Sequence, residues 1–119
     1  MAHPKVGVLF CHAAGFCAEV WRPVLDELSA LARQPRGAAE LVISAIDLPG
    51  HGEAEAPPLP LTPEPFCEAV LRAACGASGA SNALGAGGGS GASLVGVGHS
   101  IGGTALVLAE LARPGTLPP

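Results

Sequence analysis

Ser93-Leu94-Val95-Gly96-Val97-Gly98-His99-Ser100-Ile101-Gly102-Gly103 is the stretch that decides the fold. A short apolar run with two valines predicts a buried strand, and the apolar residues from Thr104 to Glu110 predict a helix after it. Between them lies Gly98-His99-Ser100-Ile101-Gly102, a G-x-S-x-G pentapeptide at a strand-to-helix turn. Such a turn lifts a serine hydroxyl above the sheet in a strained conformation. The backbone two residues before and two after the serine then passes too close for a Cβ. Gly103 is expected to add room for the helix to press on the sheet. The Ile101 N–H, at the helix start, is expected to face the hydroxyl and to stabilise a developing oxyanion. A glycine-rich turn can hold a serine by chance, so the surroundings must decide.

Upstream, the apolar run from Lys5 to Cys11 predicts a first buried strand, followed by the loop Cys11-His12-Ala13-Ala14-Gly15-Phe16. A helix is predicted over about 18–32, with Trp21, Val24, Leu25, Leu28 and Leu31 on one face and Arg22, Asp26 and Arg33 on the other. Leu41 to Ile46 forms a second strand-like run, closed by Asp47-Leu48-Pro49-Gly50-His51-Gly52. After a proline-rich loop, Thr62 and Pro63 suggest a helix start, Thr capping and Pro at the first position. That helix would turn Phe66, Val70 and Ala73 inward. Residues 76–93 are almost entirely Ala, Gly and Ser, a flexible linker by composition within one domain spanning 1–119. Strand and helix alternate three times, which predicts an α/β fold: a parallel sheet with right-handed crossovers between two helical layers. Ligands of such sheets sit beyond the carboxyl ends of the strands. All three loop motifs fall there.

Taken together, these motifs resemble the α/β-hydrolase family. The Gly98–Gly102 pentapeptide is similar to the family's nucleophile elbow. His12-Ala13-Ala14-Gly15-Phe16 resembles its His-Gly oxyanion loop, with Ala13 where Gly is more usual, and Asp47-Leu48-Pro49-Gly50-His51-Gly52 resembles its D-x-P-G-H-G turn. The resemblance implies three central strands of a larger three-layer α-β-α sheet, an incomplete α/β-hydrolase fold. It implies Ser100 as nucleophile, with Ile101 N–H and Ala14 N–H as the oxyanion hole, Gly15 being the alternative to Ala14. It implies structural roles for His12 and His51, which would tie loops together. In the family the acid and base follow the nucleophile in the chain, yet the residues after Ser100 contain neither Asp nor His. The expectation is a hydrolase of a small ester or acyl substrate, truncated before its triad acid and His. A complementary C-terminal segment or chain would be its partner. A non-catalytic fragment or isoform is the alternative. Asp47 is expected to brace its own turn rather than act as the triad acid.

Composition narrows the rest. Charged residues make up 13% of the 119, against about 25% in an average soluble domain, which suits strands covered on both faces. The net charge of -4 gives no basic footprint for nucleic acid. No apolar stretch approaches the roughly 20 residues of a membrane span, and the segment after Lys5 is short for a signal-peptide core, so an intracellular soluble product is expected. The four cysteines lack C-x-x-C spacing, and no metal or organic cofactor is implied. One rival uses the same residues: Gly96, Gly98 and Gly102 loosely match a dinucleotide-binding turn. The acidic residue such a turn needs about 20 positions later is missing.

Overall fold

The computed structural model describes residues 5–34, 40–75 and 93–117. All of the Ala/Gly/Ser segment except Ser93 therefore lies outside the described residues. Three strands, β1 (Lys5–Cys11), β2 (Glu40–Ile46) and β3 (Ser93–Gly98), form one open sheet. Its order is β2-β1-β3 with both pairings parallel. A 3-10 turn (Ala18–Trp21) leads directly into α1 (Arg22–Ala32); α2 (Glu64–Cys75) and α3 (Ile101–Ala112) complete the chain's helices among the described residues.

Period-two alternation divides the sheet's faces. Leu9 and Cys11 point to one side and join Phe66, Val70 and Ala73 of α2 and Ala105, Leu106 and Ala109 of α3 in a single buried cluster. Phe10 points to the other side, where its ring meets Trp21 with centroids 5.0 Å apart. The result is three layers, α/β/α, as expected. Residues 7–11 of the central strand are all buried, Leu9 and Cys11 completely. Val8, Leu9 and Phe10 each contribute roughly 1.5–3 kcal/mol by leaving water.

Two details differ from the sequence expectation. Val24 and Leu31 are 45% and 51% exposed, while Leu25, Leu28, Ser29 and Ala32 make the half-buried stripe. Trp21, Leu25, Leu28 and Ala32 follow one another at i, i+4, i+7 and i+11, and Val24 and Leu31, seven residues apart, lie together at one margin of that face. In addition, α2 begins at Glu64, placing Pro63 just outside it, where its carbonyl accepts from Phe66 and Cys67 N–H. The inward residues of α2 are as predicted.

Register positions the site. Cys11 stands opposite Ile46 on one side and Gly98 on the other, so the three strands end in line. The loops that follow, 12–17, 47–52 and 99–100, consequently emerge side by side at one edge. The outer flank of β3 and α3 is open. Val95, Val107 and Leu111 are 47%, 59% and 71% exposed, beside a groove of about 400 Å³ lined by Gly96, Leu106, Val107, Leu111 and Leu117 among others. No helix among the described residues is long and apolar enough to cross a membrane.

Candidate active site

Ser100 caps α3 with φ 56 and ψ -118, the one non-glycine residue at positive φ among the described residues. A conformation of this kind costs on the order of 1–3 kcal/mol and persists only where packing imposes it. The packing is visible on both sides. A Cβ on Gly98 would lie 2.5 Å from the Gly103 Cα and 2.7 Å from the Gly102 carbonyl carbon. A Cβ on Gly102 would collide with the Cys11 carbonyl and lie 2.6 Å from the His12 oxygen. The turn is further tied down by His99 N–H, which donates to Cys11 O at 3.1 Å, and by Gly102 N–H, which donates to His99 O at 3.0 Å. Ser100 is thus exposed at a bend seated on the end of β1 and the start of the 12–17 loop.

Gly103 does not play the part expected of it. A Cβ there would meet Gly98 backbone atoms only at 3.8 Å, an ordinary contact. The close approach of helix to sheet is made by Gly98 and Gly102. Gly96 also faces the helix, its missing Cβ lying 2.8 Å from a Leu106 methyl. The glycines that suggested a phosphate-binding turn are accounted for by the protein's own packing.

Two histidines from neighbouring loops brace each other's backbones. His12, fully buried, accepts Leu48 N–H on Nε2 at 2.9 Å, so its proton sits on Nδ1 and is donated to Ala13 O at 2.8 Å. In the reverse direction His51 accepts Gly15 N–H on Nε2 at 3.0 Å and donates from Nδ1 to Pro49 O at 3.0 Å. The two rings are 4.9 Å apart. Each histidine therefore has both nitrogens engaged. Neither offers Ser100 a free base. His99 is exposed beside Ser100.

The Asp47 carboxylate is the third tie. It accepts Ala18 N–H at 2.7 Å from the 3-10 turn and Glu53 N–H at 2.9 Å from its own loop. Gly52, at φ +53, has no room for a Cβ because the Asp47 carboxylate occupies that space. Burial alone would raise the Asp47 carboxyl, but the two N–H donors and the nearby His12 and His51 rings outweigh it and hold the group below its usual range. A lowered folded value means the carboxylate's contribution is complete above the unfolded value, about 3.9, and is lost as pH falls through the folded one. Asp47→Asn is accordingly expected to be less stable than the parent at pH 7, on the order of 1 kcal/mol because the site is partly solvated. Denaturant unfolding should show that gap closing below about pH 4. A gap unchanged at pH 3 would contradict the assignment.

Two amides of the loops at this edge have no acceptor among the described residues. Ile101 N–H opens α3, outside the helical ladder. Ala14 lies exposed at the tip of the 12–17 loop, and its N–H has no partner among the described residues. The Gly15 N–H, the other candidate in this loop, donates to His51. The Cys11 thiol beneath is pushed up to about 12 by burial, so it stays protonated and unreactive. Among the described residues no cluster of His, Cys, Asp or Glu could hold a metal ion. The His51–Gly15 and Asp47–Ala18 ties were invisible in the sequence, because each joins residues about thirty positions apart with no local pattern linking them.

The model of the alpha/beta hydrolase family matches residues 8–117, a span that includes all three loops and the bend at Ser100. No curated protein and no solved structure matches the chain. The match covers most of the 119 residues, and the parallel strands it spans are in one sheet between helices. The chain belongs to the alpha/beta hydrolase family.

Proposed function

We propose that this chain is a serine-nucleophile hydrolase of small ester or acyl substrates, with its general base supplied from outside the described residues. The observation that carries the proposal is the strained, solvent-facing conformation of Ser100. A serine with no chemical task would not need positive φ, since glycine adopts it without cost. Ser100 Oγ attacks the substrate carbonyl and the carbonyl electron pair moves onto oxygen. Ile101 N–H and Ala14 N–H donate to that oxyanion. A histidine takes the Ser100 proton and returns it to the leaving group, and water then hydrolyses the acyl-enzyme. His12 and His51 do not serve in this role, because both ring nitrogens of each are already bonded.

A fluorophosphonate probe with added imidazole tests the chemistry, because Ser100 is exposed enough for a soluble base to reach it. The expected result is an adduct on Ser100 by peptide mass spectrometry, slow without imidazole and faster with it, and absent in Ser100→Ala. Fast labelling without imidazole would instead make a histidine of this chain the base. No Ser100 adduct under either condition would leave the non-catalytic reading standing.

A further inference from the structure

We infer that His51 is a positioning residue that determines which amide of the 12–17 loop is presented to the reaction at Ser100; this rests on the nucleophile assigned above. The loop carries consecutive amides, Ala14 to Phe16, at its exposed tip. Phe16 N–H donates to Ala13 O at 3.1 Å, closing the turn. Gly15 N–H donates to His51 Nε2. With the Gly15 and Phe16 amides taken, Ala14 N–H is the donor left over among the exposed residues 14–16. Gly15 sits at φ +84 with nothing within 4 Å of a Cβ position, so its glycine answers to backbone conformation and not to space. That conformation orients its N–H onto the imidazole.

His51 can hold this bond because its own ring is fixed. Nδ1–H is tied to Pro49 O, its main-chain N–H donates to Leu48 O at 3.0 Å, and the ring lies against His12. The bond to Gly15 joins residues 36 positions apart, from the loop after β2 to the loop after β1. A free Gly15 amide would compete with Ala14 for the oxyanion or rotate the tip away from it. The side chain at 51 touches no reacting atom. Its effect passes through the loop.

The test uses the full chain and two variants, His51→Leu, which removes the acceptor, and His51→Gln, which restores one. Amide hydrogen exchange at residue resolution is the first readout. In the parent, Gly15 is expected to exchange at least tenfold more slowly than Ala14. His51→Leu should bring Gly15 up to the Ala14 rate, and His51→Gln should return most of the protection. Imidazole-assisted fluorophosphonate labelling of Ser100 is the second. It should slow by about 10–100-fold in His51→Leu, the effect of a misplaced catalytic donor, and recover in His51→Gln. A parent Gly15 amide that exchanges as fast as Ala14 overturns the inference, as does unaltered labelling in a folded His51→Leu with a deprotected Gly15. Failure of the parent to label at all counts against the nucleophile assignment alone, since the exchange pattern is read independently of it.

Discussion

Gly102→Ala is expected to destabilise the chain by about 3 kcal/mol or more, whereas Gly103→Ala next to it is expected to be neutral or slightly stabilising. The two glycines are adjacent in sequence and share the first turn of α3, so helix propensity favours alanine equally at both. Their surroundings decide the difference. A methyl at position 102 would run into the Cys11 carbonyl and approach the His12 oxygen. These are backbone atoms of the central strand and its loop, held by sheet pairing with Ile46 and Gly98 and by the His99 N–H bond to Cys11 O. No side-chain rotamer can relieve the contact, so α3 must move off the sheet or β1 must bend. At position 103 the nearest atoms stand at 3.8 Å and nothing has to move. Urea unfolding separates the cases: with a slope near 1.5 kcal/mol/M for a chain of this size, the Gly102→Ala midpoint should fall by about 2 M. Folded Gly102→Ala molecules should also lose Ser100 labelling, because moving α3 moves Ile101 N–H. Equal midpoints for the two variants would mean that the bend does not rest on β1.

This contrast shows what the sequence could and could not convey. The pentapeptide identified the turn, and the requirement for glycine at 98 and 102 followed from the geometry any such turn must have. The three strands were legible as apolar runs ending at polar loops, and the parallel sheet followed from their alternation with helices. Gly103, next to Gly102 at the helix start, reads in the sequence as room for the helix to press on the sheet, yet its surroundings leave a Cβ free. Likewise Val24 and Leu31 fit an apolar stripe on paper. They lie at one margin of the helix face, and the stripe that meets the sheet is Leu25, Leu28, Ser29 and Ala32. The least legible feature was the difference between the Ala14 and Gly15 amides. Both are small residues in one loop, and only a bond from a histidine in another loop distinguishes them. Asp47 lay between these cases. Its residue type announced a turn-bracing carboxylate, and Glu53 N–H fulfils that, while Ala18 N–H adds a second tie across loops.

The other large expected effect belongs to His12. His12→Ala should cost about 3–5 kcal/mol, close to the full stability of many small domains, from two sources of comparable size. The ring is 0% exposed, so its removal leaves a cavity behind the loops, as truncating a buried aromatic does. It also strips Leu48 N–H of its acceptor at the start of the loop after β2, in a residue that is itself fully buried and part of the main cluster. An orphaned buried N–H of this kind costs about 1–3 kcal/mol. The other half of the interaction is less exposed to loss. Ala13 O, which accepts from Nδ1, also accepts Phe16 N–H and so keeps a partner. The acceptor function of Nε2 therefore matters more than the donor function of Nδ1. His12→Gln, whose amide oxygen can take the Leu48 N–H, should recover a substantial part of the loss. The same pair distinguishes a brace from a base. If His12 were the general base, His12→Gln would be stable and would lose Ser100 labelling by orders of magnitude, because an amide cannot carry the proton. As a brace, His12→Gln should label at nearly the parent rate per folded molecule under imidazole assistance, and His12→Ala should fail chiefly by unfolding. Urea midpoints measured alongside labelling yields on the folded fraction decide between these outcomes.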